Sequence, residues 1–130
     1  MKKTLLSILA IFVALNILDF VVHGLILYSA YEATAQLWRP MNEMKIGILY
    51  LDRLVVALAF VCIYAGFFAK KSVRNGIEYG FWFGLATAMP MGFGSYSVMP
   101  VPLDMALVWF GGTLIAGLTS GVIVGLIIKE

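Results

Sequence analysis

Charge is what this chain has least of. Only 12% of its 130 residues are Asp, Glu, Lys or Arg, whereas 62% are hydrophobic; an ordinary globular domain is roughly a quarter charged. A water-soluble fold of this length could not cover its surface with so few charges, so its solvent must be lipid. The net charge of +2 builds no basic face, which argues against a nucleic-acid partner. The single cysteine, Cys62, excludes an intrachain disulfide and leaves the redox compartment open. It reads as a small apolar filler. The single histidine, His23, excludes bis-histidine ligation of a haem within one chain. Phosphate-cradling glycine loops, paired-cysteine metal spacings, H-E-x-x-H and G-x-S-x-G are all absent. Ser95 and Ser97 alone make no case for a nucleophile. An enzyme is therefore the least favoured class, and the cofactor, if there is one, is unknown from these residues.

What the chain does have is four apolar runs, at about 5–27, 46–69, 73–91 and 103–128. Each is close to the ~20 residues a helix needs to cross a bilayer, and a helix satisfies its own backbone there. The expected fold is all-α: an integral membrane four-helix bundle forming one domain over residues 1–130. Met1-Lys2-Lys3-Thr4 before an apolar run also resembles a signal peptide. The run continues to Leu27 with no small-residue cleavage site, so we read it as a retained first span. Lys2, Lys3, Lys70, Lys71, Arg74 and Lys129 fall on one side of the expected bundle. Arg39 and Lys45 fall on the other, offset by Glu32 and Glu43. The positive-inside rule then puts both termini in the cytoplasm of, most simply, a bacterial inner membrane.

Of the two external connections, residues 28–44 carry Tyr28, Tyr31 and Trp38, aromatics suited to a headgroup region. They predict a short interfacial helix from about Tyr31 to Leu37. Residues 92–102 are rich in Gly, Ser and Pro and predict an irregular loop. Pro102 suits the first turn of the last helix, with Asp104 near its positive end. A faint internal echo, Lys2-Lys3-Thr4 with Lys70-Lys71-Ser72 and Leu51-Asp52 with Leu103-Asp104, hints at two parallel hairpins but is too short to establish duplication.

Small residues recur every four positions in the last two spans: Gly76, Gly80, Gly84 and Ala88, then Thr113, Gly117, Gly121 and Gly125. Such ridges let helix backbones approach closely where lipid removes the hydrophobic drive. They serve either to pack these two helices together or to dock a second copy or a foreign membrane subunit. In the second span Lys45, Asp52, Ala59 and Gly66 recur every seven residues, with Cys62 alongside. That small, polar face is expected to point inward.

The chemistry concentrates in Asn16-Ile17-Leu18-Asp19-Phe20-Val21-Val22-His23. At 3.6 residues per turn Asn16, Asp19 and His23 share one narrow arc. Counted from the expected outer boundary, they lie at a depth similar to Asp52 and Arg53, with Asp104 nearer the rim. Ionisable groups at membrane depth cost a few kcal/mol each, so they face a protein interior or a wet cavity. Internal neutralisation is one account: Arg53 pairs with Asp19 or Asp52, His23 bonds Asn16 or Asp19, and Asp104 caps its helix. The other is an outward-facing site in which Asn16, Asp19, His23, Asp52, Arg53 and Asp104 bind or transport a cation or proton-coupled small solute. His23, with an ordinary pKa of about 6.5, is then the titrating group. Apart from Met1, every methionine lies in or beside an external connection. Met89 and Met91, with His23, make a weak soft-metal candidate, since thioethers select Cu(I); flexible packing explains them as well. The alternative function is an accessory or assembly subunit that docks on a larger membrane complex through the glycine faces.

Overall fold

A computed structural model describes residues 1–130, and the chain is helical almost throughout. Helix α1, Lys2–Asp19, passes without a break into a π-helical segment, Phe20–Ile26. A short α2, Tyr28–Ala33, and two 3-10 turns lead to α3, Ile46–Phe67. Helix α4, Val73–Met89, likewise runs into a π segment, Pro90–Gly94, and then α5, Ser95–Val98. Helix α6, Leu103–Ile127, completes the chain. Three stretches are long and apolar enough to cross a membrane: Lys2–Ile26, Ile46–Phe67 and Leu103–Ile127. Helix α4 is shorter, at 17 residues, and carries Arg74, Asn75 and Glu78 in its first two turns.

Two sequence expectations fail here for identifiable reasons. The Gly-, Ser- and Pro-rich stretch after Met91 is not a loop, because helical backbone continues to Val98. Pro90 has no N–H for the i→i−4 ladder, and a π turn absorbs the mismatch. Gly92 is a contact glycine: a Cβ there would lie 2.8 Å from the Ala106 carbonyl oxygen of α6. The interfacial helix likewise begins earlier than expected, at Tyr28, and breaks at Thr34. The Thr34 hydroxyl donates to the Ala30 carbonyl at 2.8 Å and accepts the Trp38 indole N–H at 2.9 Å, which turns the chain.

The two glycine ridges interlock. Gly76 faces Gly121 and Gly125, Gly80 faces Gly117 and Gly121, and Gly84 faces Gly117 and the Leu114 backbone. A Cβ on Gly80 would stand 2.9 Å from the Gly121 Cα, inside van der Waals contact. Helix α1 packs against both α3 and α6. Helix α3 meets α4 through aromatic rings in its second half, with Phe60 and Tyr64 against Tyr79 and Phe83. The Tyr64 hydroxyl also donates to the Ser72 carbonyl at 2.8 Å and accepts from the Ser72 N–H at 2.9 Å, which fixes the α3–α4 turn.

The expected inward seam of α3 is corrected by this packing. Asp52, Ala59, Cys62 and Gly66 are exposed, as is Lys45 just before the helix. The face turned inward holds Arg53, Ala57, Phe60, Val61 and Tyr64. Large rings fill the wide gap between α3 and α4, which small side chains at the seven-residue interval would leave empty.

Two apolar clusters result. One, around Ile11, Phe60, Val61, Tyr64 and Val124, closes the end where the α3–α4 turn and the C-terminus meet. The other, around Leu27, Val101, Met105 and Trp109, closes the opposite end.

Helix contact through the glycines sets a test. Gly80→Leu should destabilise the protein by roughly 1–3 kcal/mol or more through overpacking. Gly66→Leu, at a position with open space around it, should change stability little. Denaturant unfolding of the detergent-solubilised variants measures both, and equal effects would show that the ridges do not set the α4–α6 contact.

Candidate functional site

Between the two clusters lies a cavity of about 210 Å³ walled by α1, α3, α4 and α6. Its charged and titratable lining comprises Asp19, His23, Asp52 and Arg53; Thr87, Thr113 and Ser120 add hydroxyls. The remaining wall is largely apolar and includes Phe60, Phe83, Met91 and Trp109.

The sequence places these groups through helix periodicity. Asp19 ends α1 and His23 sits one turn further, inside the π segment. Arg53 lies two turns into α3, about 10 Å from its start. The Arg53 Nε–H pairs with Asp19 Oδ2. Its Nη1 donates to Asn16 Oδ1 at 3.0 Å. Asn16 in turn donates from its amide to the Phe12 carbonyl at 2.8 Å, which fixes the amide orientation. The guanidinium also lies 5.7 Å from the centre of the Tyr50 ring, within cation–π range. The Arg53 side chain is only 18% exposed and the Asp19 side chain 37%, so the pair lies inside the fold with its carboxylate reaching the cavity.

His23 bonds neither Asn16 nor Asp19. Its Nε2 is 4.0 Å from Asp19 Oδ1, too far for a hydrogen bond. Its Nδ1 is 2.6 Å from the Tyr31 hydroxyl, which also lies 2.8 Å from the Trp109 indole nitrogen. Indole can only donate, so the Tyr31 oxygen accepts from Trp109 and shares a second hydrogen bond with His23 Nδ1. Burial pushes the Tyr31 hydroxyl above its ordinary pKa.

Tyr31, Trp38 and Trp109 stack edge-on over this end of the cavity. Neither Tyr31 nor Trp109 stands out as a site residue in sequence. Tyr31 reads as a headgroup aromatic and Trp109 as one more apolar residue. The available signal is the Trp109 N–H, a donor that needs a partner wherever an indole is buried in an apolar span.

The expected site residues divide. Asp19, His23, Asp52 and Arg53 line one cavity, while Asn16 stands behind Arg53 and orients it. Asp104 lies outside the cavity lining, at the exposed start of α6, where Oδ1 accepts from the Met105 N–H at 3.0 Å. Its short side chain engages the helix terminus at the rim, not the cavity below. Met91 lines the cavity but Met89 does not, because residues two apart on a helix point to different faces. The soft-metal set of Met89, Met91 and His23 is therefore not gathered at the cavity. No group of three His, Cys, Asp or Glu side chains is assembled to hold a metal. Gly76, Gly80, Gly84, Gly117, Gly121 and Gly125 are consumed by the α4–α6 contact and present no free docking face.

No protein-family model, curated protein or solved structure matches this chain.

The Asp19–Arg53 pair should behave as a coupled unit. Arg53→Met should lower stability by roughly 1–3 kcal/mol by stranding a carboxylate. In a double-mutant cycle with Asp19→Asn, the coupling should be about 1 kcal/mol or more. A coupling near zero in detergent unfolding would show that the pair contributes nothing to the fold.

Proposed function

We propose that this chain is a four-span helical bundle of a bacterial inner membrane, with both termini cytoplasmic. In this reading it uses the cavity to bind, and pass across the membrane, a cation or proton-coupled small solute. The fourth span is α4 extended through its π segment and α5, which together give helical backbone from Val73 to Val98. About 26 residues at 1.5 Å each are ample for a ~30 Å hydrocarbon core. Basic residues collected at the end that holds both termini and the α3–α4 turn support the orientation.

The observation that carries the reading is the meeting of Asp19, His23, Asp52 and Arg53 on one cavity wall in an otherwise apolar bundle. Charges placed for packing alone would close on one another and leave no space. Here Asp19 answers Arg53 yet still faces a void large enough for several waters or one small ligand. His23 stands one turn away with its Nε2 directed toward Asp19, an arrangement able to take up or release a proton as a ligand arrives. The accessory-subunit reading draws less support, because the glycine faces it would use are already occupied by each other.

Asp19→Asn and His23→Ala should each abolish ligand binding while the protein still inserts and purifies as a folded species. Ligand retained from the native membrane, identified by elemental analysis and mass spectrometry of the purified protein, gives the readout. If both variants retain it at wild-type stoichiometry, the cavity is not the binding site.

A further inference from the structure

We propose that the ligand is an organic monocation with an apolar body, and that it enters sideways from the hydrocarbon through a gap between α3 and α4, where Asp52 meets its charge. This rests on the reading of the cavity as a ligand site and names the class of ligand.

Three features of the wall point this way. The first is its charge balance. Arg53 is already engaged by Asp19 and Asn16, whereas Asp52 makes neither a hydrogen bond nor an ion pair. The wall thus sets two carboxyl groups against one guanidinium, and Asp52 is the one that nothing else in the fold answers.

The second is where the cavity opens. At one end Tyr31, Trp38 and Trp109 cover it, together with Leu27, Val101 and Met105. At the other, the rings of Phe60, Tyr79 and Phe83 close it. The exposed members of the lining are Asp52 and Val56 on α3, Thr87 on α4 and Met91 in the π segment that follows it. Helices α3 and α4 join through rings at Phe60 and beyond, and the first half of α3 splays away, with Leu49, Leu51, Val55 and other side chains exposed. The open side therefore lies between these two helices and, in the four-span arrangement, faces the acyl chains.

The third is the kind of surface inside. Phe60, Phe83, Trp109 and Met91 present faces suited to an apolar body and to cation–π contact. A small hard cation wants about six oxygen ligands in a compact shell, whereas this lining is largely apolar. A lipophilic cation partitions into the bilayer first, reaches the gap by diffusion in the plane and finds a carboxylate beside an aromatic lining. An anion or a bare metal ion gains little from either.

The probe is benzyltrimethylammonium, which carries a fixed charge on a small aromatic body. It is compared with toluenesulfonate, of similar size and opposite charge, and with rubidium ion. Calorimetry on the full-length protein in nanodiscs should show saturable binding of the ammonium probe and at least about tenfold weaker binding of the other two. Asp52→Asn should weaken the probe by about tenfold or more, and Asp52→Glu should restore most of it. Thr87→Trp, which narrows the gap, should slow association, whereas Trp38→Ala, which thins the cover at the end, should leave the rate unchanged. No binding of the ammonium probe up to about 10 mM overturns the proposal, as does equal binding of toluenesulfonate or full affinity in Asp52→Asn. Faster association in Trp38→Ala, with no slowing in Thr87→Trp, overturns sideways entry. Rubidium binding that depends on Asp19 and His23 would sink the organic-cation class while leaving the cavity as a site. Loss of every ligand, native ones included, would remove both.

Discussion

The arrangement depends on the cost of holding Arg53 and Asp19 inside a largely apolar helical fold. Removing each ion from water costs several kcal/mol even after relaxation, and their attraction repays it only with good geometry and further hydrogen bonds. The pair meets that requirement through the direct Nε contact, the Asn16 carbonyl and the Tyr50 ring. It is also the bond that sets the angular position of α3 on α1. Once Arg53 points at Asp19, Ala57, Phe60 and Tyr64 are carried inward on the same side of the helix, and Asp52 is left at the edge of the cavity.

The glycine contact does the complementary work. By letting α4 and α6 lie backbone against backbone, it makes one half of the fold thin and rigid. The other half, α3, has no such partner and is held by α1 and a cluster of rings near one end. A tight pair on one side and a splayed helix on the other leave an unfilled wedge, and the cavity is that wedge. The π segments contribute as well: one carries His23, and the other begins at Pro90 and includes Met91. Both widen the helix where the wall is polar or irregular, as such turns often do beside functional groups.

Much of this was legible in one dimension, because strong local rules governed it. The four apolar runs, the arc of Asn16, Asp19 and His23, and the repeating glycines are all consequences of length or of a 3.6-residue period. The loop after Met91 was misread because glycine marks both turns and close helix contacts, and Gly92 belongs to the second kind. The α3 seam was misread because small residues mark an inward face only where helices come close, and α3 stands off from α4 at a distance that Phe60 and Tyr64 fill. Tyr31 and Trp109 were missed as site residues because their bond joins positions 78 apart in the chain, a separation no local pattern encodes.

Sequence by itself therefore determined the helical class of this protein, its long apolar stretches and which side chains are too polar for apolar surroundings, since each follows from composition or periodicity along a single helix. Tertiary structure alone decided which carboxylate Arg53 answers, that the two glycine ridges spend themselves on each other, and that the open side of the cavity lies between α3 and α4. Those outcomes depend on how far apart whole helices settle, a balance between ring volume and backbone contact that exists only once all four are in place.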